Sequence, residues 1–246
     1  MFYRTIGEGQ PLVLIHGLGQ TGDAWKLQEE LSEYFQLFIP TLRGHGTSPV
    51  TQNIALRYFA QDILSMLDEN GIESAHFCGL SLGGMIVQEI HSQAKKRVKS
   101  MILANTTSYV PGLLSELVLQ DQERSLNRLS DEDYIKKIAL DSLYRPSDET
   151  INHALQTFHL NRETYIQTAR ATQGINYLMM LTLTTVPIQI ISSSHDNVTP
   201  YLYNAHVTQW WARKAKLTLL NQTGHLSNIQ KPAQFNNIVK AFIEKC

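Results

Sequence analysis

The stretch Cys78-Gly79-Leu80-Ser81-Leu82-Gly83-Gly84 decides how the rest of the chain reads. Ile72, Ala75 and Phe77 lead into it with strand character, and Met85 to Ile90 lead out with helical character. A serine at so sharp a strand-to-helix turn sits in a strained backbone conformation that lifts its hydroxyl clear of the sheet. The flanking positions, 79 and 83, must then be glycines, because a Cβ there would collide. Ser81 is thereby the candidate nucleophile, and the first N–H groups of the helix behind it face whatever it attacks. Such a serine needs a base to take its proton and an acid to orient that base.

Both have candidates at the ends of later strands, where open α/β sheets place their sites. Leu217-Thr218-Leu219-Leu220 reads as a short buried strand followed by Asn221-Gln222-Thr223-Gly224-His225, which nominates His225 as the base. Val186 to Ile191 is a β-branched strand that opens into Ser192-Ser193-Ser194-His195-Asp196-Asn197-Val198-Thr199-Pro200, where Asp196 is the only carboxylate. His195 is the one rival base, but it adjoins Asp196 in a loop, where neighbouring side chains diverge. His16 and His45 in glycine turns, His76 in a strand, and His91, His153, His159 and His206 in helical stretches read as structural or exposed.

Pro11-Leu12-Val13-Leu14-Ile15-His16-Gly17-Leu18-Gly19 is a continuous apolar run ending in a glycine turn, the mark of a strand buried on both faces. Its turn and the residue after Ser81 supply backbone donors, so the N–H groups of Leu18 and Leu82 are the candidate oxyanion hole. Gly17-Leu18-Gly19-Gln20-Thr21-Gly22 also matches a dinucleotide fingerprint. That reading is disfavoured, since the next strand, Leu37-Phe38-Ile39, ends in Pro40-Thr41 with no acidic residue for a ribose.

With His16-Gly17, Arg43-Gly44-His45-Gly46-Thr47-Ser48, the Ser81 turn, Asp196 and Gly224-His225 in this order, the chain resembles the α/β-hydrolase superfamily. It is most similar to the small esterase and lactonase branch: carboxylesterases, 3-oxoadipate enol-lactonases and pimeloyl-carrier-protein methyl ester esterases. The resemblance spans nearly the whole length, although the middle matches only in general character. It implies a mostly parallel sheet flanked by helices, with Ser81, Asp196 and His225 as a triad in the superfamily's chain order. Thr41 stands where many relatives have an aspartate, which leaves the hydrogen bonding of that loop open. The N-terminus is short, so one edge strand common in relatives is expected to be absent.

The 246 residues, 43% hydrophobic, suffice for one large core. Strand and helix patterns alternate through Ala104 and resume at Val186, which means a parallel sheet covered on both faces. Between them, from Tyr109 to Thr184, the strands stop, and Leu113 to Leu119, Ser130 to Ile135 and Ile151 to Tyr165 read as short helices. The expected division is therefore a core of residues 1–108 and 185–246 and a helical cap of 109–184 above Ser81. Tyr109, Leu113, Tyr177, Met179 and Met180 are its candidate pocket residues, with the methionines able to fit irregular ligands. No apolar run approaches a membrane span, no leader pattern opens the chain, and two cysteines make no disulfide framework, all of which fit the cytoplasm. A net charge of −1 argues against a nucleic-acid partner, and no metal-ligand spacing is present.

The chemistry expected is acyl transfer to water on a small to medium apolar ester or lactone, without a cofactor. The same three side chains also serve C–C bond hydrolases, thioesterases and cofactor-free haloperoxidases, and the fold occurs as a non-catalytic ligand binder. Haloalkane dehalogenation is disfavoured, because it needs a carboxylate where Ser81 stands. Oligomeric state is not legible.

Overall fold

The computed structural model describes residues 1–50 and 53–246, with the side chains of Leu113 and Leu114 outside that description. Its centre is a seven-stranded sheet: β1 (Phe2–Ile6), β2 (Gln10–Ile15), β3 (Phe35–Thr41), β4 (Ala75–Leu80), β5 (Val98–Ala104), β6 (Ile188–Ser193) and β7 (Lys216–Leu220). The spatial order is β1-β3-β2-β4-β5-β6-β7, with every neighbouring pair parallel except β1 against β3. The short N-terminal segment thus does supply an edge strand, running antiparallel. The sheet and its flanking helices are the architecture expected from the alternating pattern.

Side chains of the central strands alternate between two buried layers. Val13, Ile15 and Phe77 face a layer with Phe59 of α1 (Leu56–Glu69), Ile86 of α2 (Leu82–Ala94) and Ala205 of α8 (Tyr201–Trp211). Leu12, Leu14 and Leu80 face the other, with Trp25 of the 3-10 segment Gly22–Glu33 and Phe235 of α10 (Pro232–Ile243). Every residue of β4 is buried, so the strand that delivers Ser81 sits in the middle of the sheet with no freedom to shift.

Between β5 and β6 lie only helices among the described residues: α3 (Gly112–Arg128), α4 (Asp131–Asp141), α5 (Asp148–Thr157), α6 (Arg162–Ala171) and α7 (Leu178–Leu183). Ser130, Ser147 and Asn161 cap three of them by accepting from backbone N–H groups. The helical pattern from Ile151 to Tyr165 is broken in the structure at Phe158. That residue bridges to Gln20 beside β2, and Asn161 then starts α6 afresh. The short α9 (Ser227–Gln230) follows β7.

Candidate active site

β4 stops at Leu80 and α2 starts at Leu82, leaving Ser81 as the single residue of the turn, with φ 55° and ψ −119°. A non-glycine residue holds such a conformation only where its surroundings over-determine it. Here Ser81 N–H donates to the Ala104 carbonyl at 2.9 Å, and the Thr106 hydroxyl donates to the Ser81 carbonyl at 2.6 Å. The glycine requirement is steric: a Cβ on Gly79 would run into the backbone of Gly83, and one on Gly83 into the carbonyl of Ile15.

His225 lies just beyond β7, buried, and its Nδ1–H donates to Asp196 Oδ2 at 2.9 Å and Oδ1 at 3.1 Å. Asp196 comes from the loop after β6, and that loop folds back on its carboxylate. Oδ1 accepts from the N–H groups of Val198 and Thr199 at 2.9 and 2.8 Å, and Oδ2 from the Thr199 hydroxyl at 2.7 Å and the Asn105 amide at 2.9 Å. Burial pushes the Asp196 carboxyl up, but the charge of His225 and these hydrogen bonds outweigh it and hold the group at about 2. The carboxylate is therefore an acceptor at any working pH, which commits His225 Nδ1 to donate and leaves Nε2 as the ring's free base position.

Asn105, the first residue after β5, adopts φ 43° and is fully buried. Its amide nitrogen donates to Ser193 Oγ and Asp196 Oδ2, each at 2.9 Å, and its oxygen accepts from Ser227 Oγ at 2.6 Å. One side chain thus ties the ends of β5 and β6 to the start of α9, beside His225.

Ser81 and His225 line one cavity of about 450 Å³. Gly17, Leu18 and Gln20 form another wall; Val118, Asp121, Gln122 and Ser125 of α3 and Tyr134, Lys137, Ile138 and Asp141 of α4 also line it, with Phe158, Tyr165, Val198 and Leu226 among the rest. The Gly17–Gln20 turn is tightly held. His16 Nδ1–H donates to the Gly17 carbonyl at 2.8 Å while its Nε2 accepts from Leu42 N–H at 3.0 Å, and Gln20 Oε1 accepts from Gly17 N–H at 3.1 Å. Leu18 borders the cavity, and Leu82 is the first residue of α2, where a helix N–H has no i−4 carbonyl to bind.

A hydroxyl on a strained turn, an imidazole oriented by a buried carboxylate and a cavity that both line are the components that nucleophilic catalysis requires. The sequence profile of the family described as alpha/beta hydrolase fold matches residues 10–232. The chain belongs to that family. It is 26% identical over 249 residues to 3-oxoadipate enol-lactonase 1 of Acinetobacter baylyi, covering 95% of this chain and 88% of that one. It is also 26% identical over 245 residues to a protein of Pseudomonas savastanoi pv. phaseolicola named for carbamate hydrolysis, RutD, covering 94% and 93%. Among solved structures, the enol-lactonase of Burkholderia xenovorans LB400 superposes with a TM-score of 0.86 at 22% identity, over 99% of this chain and 96% of that one. The likeness to that structure shows the fold alone.

In this α/β-hydrolase the structure brings Ser81, Asp196, His225 and Leu18 to one place and leaves the rival His195 outside it. His195 is exposed, stacked on Tyr144 with ring centroids 3.6 Å apart, and its Nδ1 meets Ser194 Oγ. The pocket expectation needs correction. Tyr109, Tyr177, Met179 and Met180 do not line the cavity: Tyr177 is buried with its hydroxyl donating to Glu89, Met180 packs, partly buried, against the core layer of α1 and α2, and Met179 is 63% exposed. They sit at the two ends of the helical insertion, whereas its first two helices, α3 and α4, line the cavity that Ser81 shares. Leu113 has a side chain outside the described residues. Thr41 resolves the question left by the missing aspartate, since its hydroxyl accepts from Gly22 N–H at 3.0 Å and its carbonyl accepts from Ser48 Oγ at 2.7 Å.

Asn105, Thr199 and Gln20 were not anticipated. A polar residue directly after an apolar strand, as Asn105 is after Val98–Ala104, was the available signal. Among the described residues no helix is long and apolar enough to cross a membrane, and no group of three or more His, Cys, Asp or Glu side chains could hold a metal ion.

Proposed function

We propose that this hydrolase cleaves a carboxylic ester or lactone through an acyl-enzyme formed on Ser81. The observation that carries the reading is the hydrogen-bonded Asp196–His225 pair opening onto the same cavity as a serine held at φ 55°. His225 Nε2 takes the Ser81 proton as Oγ attacks the carbonyl, and Asp196 keeps the imidazole in the tautomer that can accept it. The N–H groups of Leu18 and Leu82 receive the oxyanion, helped by the positive end of α2. The protonated imidazole then returns its proton to the leaving oxygen, and a water activated in the same way releases the acid.

Residues 109–184 act in this reading as the cap, with α3 and α4 as the walls against which the acyl group rests. The names of the relatives, an enol-lactonase and a carbamate hydrolase, support carbonyl hydrolysis as the common chemistry. Leu18, Ile138, Phe158 and Leu226 give the cavity apolar floor, and a volume of about 450 Å³ suits an acyl group of modest size. The test is turnover of short-chain p-nitrophenyl esters and simple lactones, with fluorophosphonate labelling located by mass spectrometry. Labelling at Ser81 alone is expected, together with loss of turnover in Ser81→Ala. An adduct elsewhere, or wild-type protein inert to every ester and lactone, overturns it.

A further inference from the structure

From the exposed face of α7 and α8, we infer that this protein docks peripherally on anionic lipid bilayers. The apolar side chains there are large and project outward: Leu202 is 78% exposed, Trp210 77% and Leu183 69%, and Met179, Tyr203 and Trp211 join them. The two helices are contiguous, with Thr182 Oγ1 donating to the Trp211 carbonyl. Leu202, His206, Trp210 and Arg213 fall at helical spacing on one stripe of α8 and the turn after it.

The charge on this side has one sign. Arg213, Lys214 and Lys216 are exposed at the end of the stripe, and α7, α8, β6 and β7 carry no carboxylate at all. Between Glu163 and Glu244 the single acidic residue is Asp196, which is buried and bonded to His225. The nearest acid the contacts reveal is Glu89 of α2, half-buried and engaged by Tyr177 and Gln93.

Three occupants could cover such a face, and the observations favour one. A second copy meeting it about a two-fold axis would join two faces that both carry Arg213, Lys214 and Lys216, with no carboxylate on α7 or α8 to pair with them across the contact, and the like net charge opposes association. An acidic protein would satisfy the charges, but protein hot spots are anchors seated in pockets. Here the large side chains of α7 and α8 are themselves the exposed ones, beside a shallow hollow among His206, Gln209, Trp210 and Arg213. Projecting Trp, Tyr, Leu and Met beside Lys and Arg is the composition that lies in a membrane interface, with aromatic rings at headgroup depth and cations on anionic headgroups.

The experiment is vesicle flotation of the full-length protein, comparing phosphatidylcholine alone with an equimolar mixture of phosphatidylcholine and phosphatidylglycerol, at low and at high salt. Three basic side chains near the surface should favour the anionic vesicles by on the order of 100-fold at low salt, with the preference shrinking at high salt. Brominated lipid should quench Trp210 and Trp211 but not the fully buried Trp25. Folded Leu202→Ser/Trp210→Ser and Arg213→Glu/Lys214→Glu variants, checked by circular dichroism, should each lose binding. Flotation absent from both vesicle types, or unchanged in both variants, overturns the inference. So does a dimer in analytical ultracentrifugation that Trp210→Ser dissociates, which would assign the face to a second copy. Binding to polyglutamate that survives Leu202→Ser/Trp210→Ser would instead assign it to acidic polymers and equally refute the bilayer.

Discussion

At the scale of single residues, the proposed site rests on side chains with unequal duties, and substitution should separate them. Ser81→Ala removes only a hydroxyl, so the fold should survive while kcat falls by a factor on the order of 10⁶, read in a p-nitrophenyl ester assay. Asn105 is a positioning residue: it grips Asp196 Oδ2 and never faces the cavity among the described contacts. Asn105→Gly keeps the positive φ accessible and deletes three hydrogen bonds, one of them to a charged group. Losing that charge-assisted bond should lower kcat roughly ten- to a hundredfold with KM little changed. An equal fall in kcat for Asn105→Gly and Asn105→Asp would fit steering of Asp196 poorly, because a second carboxylate there should also move the acidic limb of the pH profile upward. Ser81, Asp196 and His225 were legible in the sequence because each is punctuated by glycine or by a strand end. Asn105 was not, since its partners Ser193, Asp196 and Ser227 converge only after β5, β6 and α9 are packed.

At the scale of elements, the turn before α2 and the helices over the cavity invite opposite experiments. Gly83→Ala drives a Cβ into the Ile15 carbonyl, which should cost at least the roughly 1–3 kcal/mol typical of overpacking, measured by urea unfolding. Gly112→Ala is its control. That glycine begins α3 with open space around it and no positive φ, so alanine there should stabilise by about 0.4–1 kcal/mol. For the cavity, Ile138→Trp should shift ester preference toward shorter acyl chains while Met179→Trp leaves the chain-length profile unchanged. The reverse result would return the pocket to α7. The core strands and their helices were readable because burial on both faces imposes a continuous apolar run on β2, Leu12 to Ile15, and an amphipathic period on the helices that cover it. The insertion was readable only as helices, since an amphipathic pattern says which face is apolar and not which neighbour it meets. Methionine content pointed to Met179 and Met180, yet the walls are built from the polar-looking Tyr134, Lys137 and Asp141 of α4.

At the scale of the whole molecule, acid should unfold this protein through its buried histidines. Burial, with the neighbouring charge of His45, lowers His16 to about 3, and burial lowers His45 to about 4. His76 and His91 are likewise held near 4 by burial and by the charges of Lys99 and Lys95. A folded pKa below the unfolded value near 6.5 means that the unfolded chain takes up protons first, so stability is complete above about pH 6.5 and drains away as pH falls toward 4. His16, whose Nε2 accepts the Leu42 N–H and has no room for a proton, should alone account for about 2–3 kcal/mol by about pH 4.5. Asp196 extends the loss below its unfolded value of 3.8, down to about 2. Thermal melts across this range should show Tm falling steadily from near neutrality, and a flat profile to about pH 5 would contradict it. Chain order carries one more consequence. The proposed nucleophile directly follows β4, its acid follows β6, and its base follows β7, the last strand of the sheet. A polypeptide that has not yet added β7 has Ser81 without His225, so hydrolytic activity would report that the last strand of the sheet is in place, and chains stalled before it would lack the proposed base.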